Sequence, residues 1–233
     1  MPNKSNSKKN LDPNFQLAIS TFNSFNINYW VCHGSLLGLV RDGNLIPWDM
    51  DIDLAVFKSE ISIEEIRAIL TNAGFQDRGG DHGNSLHLKR EGGKFLDINF
   101  YEVSTLDNNK IEAAVYWKIS KNFFLWKLIN HACDTQEYNG KHKVASNIIK
   151  KFRFLLYPFK LFLDIWKITY SQKGYAMPSE YLENFEFITI SNLKCRVPKR
   201  YEEICESLYG QDWKIPKQQY NWMTDSLSTK EKI

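Results

Sequence analysis

The sequence predicts an α/β (α+β) fold, a mixed β-sheet core flanked by helices, carrying a helical insertion rich in basic and aromatic residues. Three observations lead there. Apolar residues recur at helical spacing in Phe15, Ala18, Ile19, Phe22 and Phe25, and again in Ile63, Ile66, Ile69 and Leu70. Between and after these stretches stand short runs of β-branched and aromatic residues, such as YWVC (29–32) and DLAVF (53–57), bounded by Gly, Asp and Pro. Finally, residues 118–173 hold eleven Lys/Arg against three acids, a local charge of +8, which leaves the other residues at −5 although the whole chain sums to only +3.

The elements follow in order. Asp12 and Pro13 make an N-cap and first position for a helix ending near Asn26. Tyr29 to Cys32 forms a buried strand that stops at His33 and Gly34, after which Ser35 caps a short helix closed by Gly43. Pro47 holds an extended approach, and residues 49–57 (DMDIDLAVF) alternate acid and apolar before turning wholly apolar, a strand with one decorated end. Ser62 and Glu65 are a capping-box pair for the helix that Gly74 closes. The glycine-rich loop 78–85 leads to strand 85–89, a turn at Glu91, Gly92 and Gly93, and a partner strand, KFLDINFYEV. Residues 185–198 form a second hairpin and 200–208 a short helix.

The organisation expected is a disordered tail over 1–10, a catalytic core over 11–105, a helical basic and aromatic insertion over 106–181 on the acceptor or membrane-surface side, and a C-terminal hairpin and helix over 182–233 that complete the core. At 233 residues and 27.3 kDa there is room for one catalytic domain. The 43% hydrophobic and 24% charged composition excludes wholesale disorder, and the near-neutral total argues against a general nucleic-acid binder. Cys32, Cys133, Cys195 and Cys205 lack the spacing of a zinc site or disulfide framework. The polar N-terminus has no apolar run behind its lysines, and the most apolar stretch, 152–170, is broken by Lys160, Asp164 and Lys167. A cytoplasmic protein is expected, at most resting on the inner face of the membrane.

Chemistry is concentrated in three places: a Gly-Ser turn after a strand (Gly34, Ser35), an Asp-x-Asp at the start of the next strand (Asp51, Asp53), and an aspartate between apolar neighbours in a later strand (Asp97). Residues two apart in a strand face one side, so Asp51 and Asp53 present both carboxylates to one place. With Asp97 on a neighbouring strand, three acids would repel one another unless a divalent cation held them, and oxygen ligands with room for phosphates suit Mg²⁺ or Mn²⁺. Ser35 and the amides opening its helix would hold anionic phosphates beside the metal. The combination fits phosphoryl chemistry. A calcium loop beginning at Asp49 is rejected, because Leu54 stands where its sharp turn needs Gly. Arg41 is either a bidentate phosphate donor or a surface arginine beside Asp42. His33 is either a substrate contact or a satisfied strand-end histidine, and His87, His131 and His142 share no pattern.

The stretch YWVCHGSLLGLVRDGNLIPWDMDIDLAVF resembles the signature block of the LicD/fukutin family, and VPKRYEEICESLYGQDW resembles, more loosely, that family's C-terminal motif. The resemblance implies a nucleotidyltransferase-like core that transfers a phospho-substituent, phosphocholine or a phosphoalditol such as glycerol or ribitol phosphate, from a CDP-linked donor to a glycan hydroxyl with CMP leaving. It implies metal ligation by Asp51, Asp53 and Asp97, donor-phosphate contacts from Gly34, Ser35 and Arg41, a supporting role for Asp49, and motif positions at Tyr209, Asp212 and Trp213, where Trp213 either packs or touches the nucleotide. Acceptors implied are cell-surface glycans of the lipopolysaccharide, capsule or teichoic-acid kind, free or lipid-linked. Asp97 or a metal-bound alkoxide would serve as base. Two other readings stay open: a nucleotidyltransferase proper, and a non-catalytic membrane-surface binding protein built around residues 152–170.

Overall fold

The computed structural model describes residues 11–79, 82–106, 109–121, 133, 143–166, 168 and 170–232. Its elements run α1 (Pro13–Ser24), β1 (Tyr29–Val31), α2 (His33–Asp42), β2 (Asp51–Phe57), α3 (Ile63–Asn72), β3 (Gln76–Asp77), β4 (Ser85–Lys89), β5 (Phe95–Thr105) and β6 (Ile111–Ser120). Helices α4 (Lys143–Lys150) and α5 (Arg153–Ile165) follow, then β7 (Tyr170–Pro178), a 3-10 turn, β8 (Phe185–Ile190), β9 (Leu193–Pro198), α6 (Tyr201–Tyr209), α7 (Trp222–Asp225) and β10 (Thr229–Glu231).

The main sheet is mixed and ordered β1-β2-β5-β6-β7-β10, with β4 also on β5 and β3 outside β4. Only β2 and β5 are parallel among these pairs. Strand β5 changes neighbours along its length: residues 95–101 pair with β2, residues 96–99 also take β4, and residues 102–105 pair with β6. The hairpin β8–β9 is a separate two-stranded sheet. It is tied to β1 by the Arg196 guanidinium, which donates to the Tyr29 carbonyl at 2.9 Å, and by Phe185 against Trp30.

Local chemistry explains the elements nearest the site. Asp12 caps α1 by accepting the N–H groups of Asn14 and Phe15, and Pro13 fills the first turn, where an N–H has no use. Gly43 closes α2 in the left-handed region at φ 63°, and Ser62 with Glu65 forms the expected capping box on α3. In β2 the buried Ile52 and Leu54 alternate with Asp51 and Asp53, so the sheet's apolar face goes to the core and its carboxylates to the other side.

Three expectations are corrected. Ser35 lies inside α2, whose N-cap is Cys32 with no side-chain bond, because the Ser35 hydroxyl is taken up elsewhere. Strand β2 begins at Asp51, leaving Asp49 and Met50 in the approach. Among the described residues the insertion is helical at Lys143–Lys150 and Arg153–Ile165, and toward its two ends it forms β6 and β7, paired antiparallel from Glu112–Pro178 to Ser120–Tyr170. Burial of Ala113, Val115, Tyr175 and Met177 against the core drives this pairing, across a separation that local spacing cannot show. The proposed tail, the acidic Asp134 and Glu137, and His131 and His142 lie outside the described residues.

Candidate active site

The first turn of α2, the Ile46–Asp49 approach, the opening of β2 and the middle of β5 converge on one cavity of about 540 Å³. Gly34, Arg41, Asp49, Asp51, Asp53, Asp97, His33 and Trp213, all singled out from sequence, line it. Its volume falls within the ~300–1,000 Å³ common for small-molecule sites.

Parallel pairing of β2 and β5 sets Asp53 directly beside Asp97. Burial first, then the charges of Asp51 and Asp97, push the Asp53 carboxyl well above the usual range. Burial, a hydrogen bond with Asp51 and the charges of Asp51 and Asp53 push Asp49 up to about 8. These carboxylates crowd one another. Gly34 is what lets them come so near: a Cβ there would collide with Asp49 Oδ2 and sit 3.8 Å from Asp53 Oδ2. Lys94 does not neutralise the cluster, since its ammonium is spent on the backbone carbonyls of Ile46 and Asp49 and fixes the approach instead.

Ser35 is buried and its hydroxyl accepts the Asp53 N–H at 2.9 Å, so it holds the strand behind the site and does not line the cavity. The amides of the first helical turn, which have no intrahelical acceptor, remain as anion donors there. Arg41 pairs with Asp42, as one of its two readings has it, but is not on the surface. Its guanidinium is bound fork to fork by Asp42, at 3.0 and 2.7 Å, yet the side chain is only 6% exposed and faces the cavity.

His33 likewise is both satisfied and in the site. Its Nε2 lies 2.9 Å from the Tyr101 hydroxyl and its Nδ1 3.5 Å from Asp53 Oδ1. Burial lowers its pKa to about 4, so the ring is neutral. Its backbone is in the left-handed region at φ 46°, a strain of ~1–3 kcal/mol that the Tyr101 contact helps to hold.

Sequence reasoning missed His87. Antiparallel pairing of β4 and β5 places it opposite Asp97, with Nδ1 3.1 Å from Asp97 Oδ1. That N–H is not aimed at the oxygen: Asp97 Oδ1 and His87 Nε2 are buried without a hydrogen-bond partner. The hairpin turn at Gly92 was the available signal, because a hairpin centred there puts 87 across from 97. Also missed was an aromatic wall of Trp117, Tyr175 and Trp222, in mutual contact with ring centroids 4.9–5.7 Å apart. Trp117 is held by its indole N–H, which donates to Asn99 Oδ1 at 3.0 Å.

Among the described residues no three His, Cys, Asp or Glu side chains form a ready-made metal site. The donor set nevertheless fits a hard divalent cation: all-oxygen ligands, carboxyls raised by burial and then by one another's charge, and a buried, unpartnered carboxylate oxygen on Asp97. Asp51 and Asp53 would hold it, with Asp97 beside them and remaining positions left to substrate oxygens.

Fold and cavity together define a mixed α/β protein of the nucleotidyltransferase-like class with an acidic pocket. Residues 26–141, about half of the chain, match the family described as LicD/FKTN/FKRP, nucleotidyltransferase domain, and the chain belongs to this LicD/fukutin family. Human ribitol-5-phosphate transferase FKTN is 28% identical over 207 residues, 89% of this chain and 34% of that protein. Human ribitol 5-phosphate transferase FKRP is 37% identical over 54 residues, 23% of this chain and 11% of its own length. The chain thus spans about a third of the length of FKTN. Among solved structures, a lincosamide antibiotic adenylyltransferase, LnuA, with lincomycin bound aligns over 84% of this chain and 85% of its own, at 12% identity and a TM-score of 0.42, too low to bear on this chain's chemistry.

Proposed function

We propose that the chain is a phosphotransferase that moves a phosphoalditol, or a related substituted phosphate such as phosphocholine, from a CDP-linked donor to a hydroxyl of a glycan, with Mg²⁺ or Mn²⁺ bound at Asp51 and Asp53. One observation carries the reading: four aspartates, Asp49, Asp51, Asp53 and Asp97, share a cavity with Gly34, where a Cβ would meet the Asp49 carboxylate. The names of the relatives, both ribitol-phosphate transferases, favour a phosphoalditol over phosphocholine as cargo.

In this reading the cation, when bound, neutralises charge on the phosphates. The α2 amides and Arg41 hold the diphosphate. The aromatic wall of Trp117, Tyr175 and Trp222 provides flat apolar surface for a base or sugar ring. His87 Nε2, buried and unpartnered at the cavity wall, takes the proton of the attacking hydroxyl, and the Asp97 carboxylate, 3.1 Å from Nδ1, lies beside the imidazolium that forms. His87 thus replaces Asp97 as the base. The acceptor oxygen bonds to the phosphorus distal to the nucleoside, the bond from that phosphorus to the bridging oxygen breaks, and CMP departs with that oxygen.

The test is a panel of CDP-ribitol, CDP-glycerol and CDP-choline with and without Mg²⁺, scored by thermal shift and CMP release, with Asp51→Asn as control. Stabilisation and CMP release that need both metal and Asp51 are expected. An equal response to UDP- and GDP-sugars would overturn the CDP donor, and a nucleotide left on the acceptor would make the protein a nucleotidyltransferase proper.

A further inference from the structure

Helix α5 leaves a broad apolar face exposed. Leu156, Lys160 and Leu163 are spaced i, i+4, i+7 and are its partly or fully buried positions, so they mark its inward side. On the opposite arc, at about 100° per residue, stand Phe154, Leu155, Phe162 and Ile165, with Trp166 just beyond the helix. These are 69%, 63%, 56%, 77% and 67% exposed. A helix in water turns polar residues outward, and an aromatic, aliphatic outer face this dense marks a surface that meets something apolar. The preceding helix α4 repeats the pattern with Val144 and Ile148, four apart and both exposed.

Charge identifies the apolar partner. Residues 143–166 carry five Lys/Arg and one acid, and the exposed Lys151 and Arg153 sit at the junction of the two helices, flanking Phe152 and Phe154. Aromatic and aliphatic side chains flanked by cations suit the boundary between acyl chains and anionic headgroups. Among the described residues no helix is long and apolar enough to cross a membrane, so the geometry is one of lying on the surface. We infer that helices α4 and α5 dock this protein on an anionic lipid bilayer, with the outer face of α5 entering the headgroup layer. In the chain the helices lie between β6 and β7, and Trp117 of β6 and Tyr175 of β7 line the cavity. The inference is independent of the chemistry in the cavity.

Sedimentation of the full chain with phosphatidylcholine vesicles, with and without phosphatidylglycerol, tests it in the absence of nucleotide and metal. Binding that requires phosphatidylglycerol and weakens as salt is raised is expected. The Phe162→Glu/Ile165→Glu variant, both sites being exposed, should bind at least about tenfold more weakly with unchanged thermal unfolding. A Lys151→Glu/Arg153→Glu variant should lose the preference for phosphatidylglycerol, and decides the matter should the first variant misfold. No vesicle binding by the wild-type chain overturns the inference, as does equal binding by the variants. A wild-type dimer that Phe162→Glu/Ile165→Glu converts to monomer, without vesicle binding, would assign the face to a second copy of this chain.

Discussion

The hydroxyl of Ser35 accepts the backbone N–H of Asp53 at 2.9 Å, joining the first turn of α2 to the strand that carries the carboxylates. This one bond fixes where the first-turn amides of α2 stand relative to Asp51 and Asp53. Ser35→Ala would leave a buried N–H without a partner, at a cost of ~1–3 kcal/mol. Urea unfolding should show that loss, and kcat should fall with it. A variant as stable and active as the parent would remove Ser35 from the architecture of the site.

At Gly34 the expected effect is on binding more than on folding. The added methyl of Gly34→Ala meets the Asp49 carboxylate, a flexible end that can yield, so the chain should still fold. Overpacking of ~1–3 kcal/mol placed on the acidic cluster predicts about tenfold weaker Mg²⁺-dependent donor binding. Calorimetric titration with a CDP-alditol is the measurement, and unchanged affinity is the contrary result.

His87→Gln keeps the size of the ring's polar edge and removes the base. In the proposed transfer it should lower kcat by ~10²–10⁴ and leave donor KM unchanged. Asp97→Asn should lower kcat and weaken metal binding together. If Asp97→Asn is crippling and His87→Gln is silent, Asp97 or the metal itself handles the proton.

Acid crowding sets a pH dependence in the metal-free protein. Asp49 binds its proton more tightly when folded, up to a pKa of about 8, so the stability it contributes is present at low pH and is lost as pH rises to that value. His33, lowered from 6.5 to about 4 by burial, acts in the opposite sense below 6.5. The interval from 6.5 to 8 therefore isolates the carboxyls. The melting temperature of the metal-free chain should fall across it, Asp49→Asn should flatten the fall, and Mg²⁺ should reduce it. A melting temperature that climbs through this interval would contradict the crowding.

What could be read from sequence follows the range of the interactions involved. The cap at Asp12, the box at Ser62 and Glu65, and the shared side of Asp51 and Asp53 are set by residues a few positions apart, and the structure keeps all of them. The strand character of 111–120 and 170–178 depends on pairing across fifty residues of basic and aromatic chain, whose composition suggested helix. Ser35 had the residue type of a cap but a better partner eighteen positions away. His87 became visible only once the hairpin register was applied to it, and the aromatic wall only once β6 and β7 were laid beside β5.

The two allegiances of β5 bear on how this protein can be re-engineered. One continuous strand supplies Asp97 to the site and, five residues later, the edge on which β6 is built. A chimera that exchanges residues 106–181 with those of a relative would cut the sheet beside its own active residue, and a one-residue slip in rejoining it would turn alternate side chains to the wrong face. The exchangeable cassette is the shorter stretch between the paired strands, residues 121–169, whose ends already lie side by side at Ser120 and Tyr170.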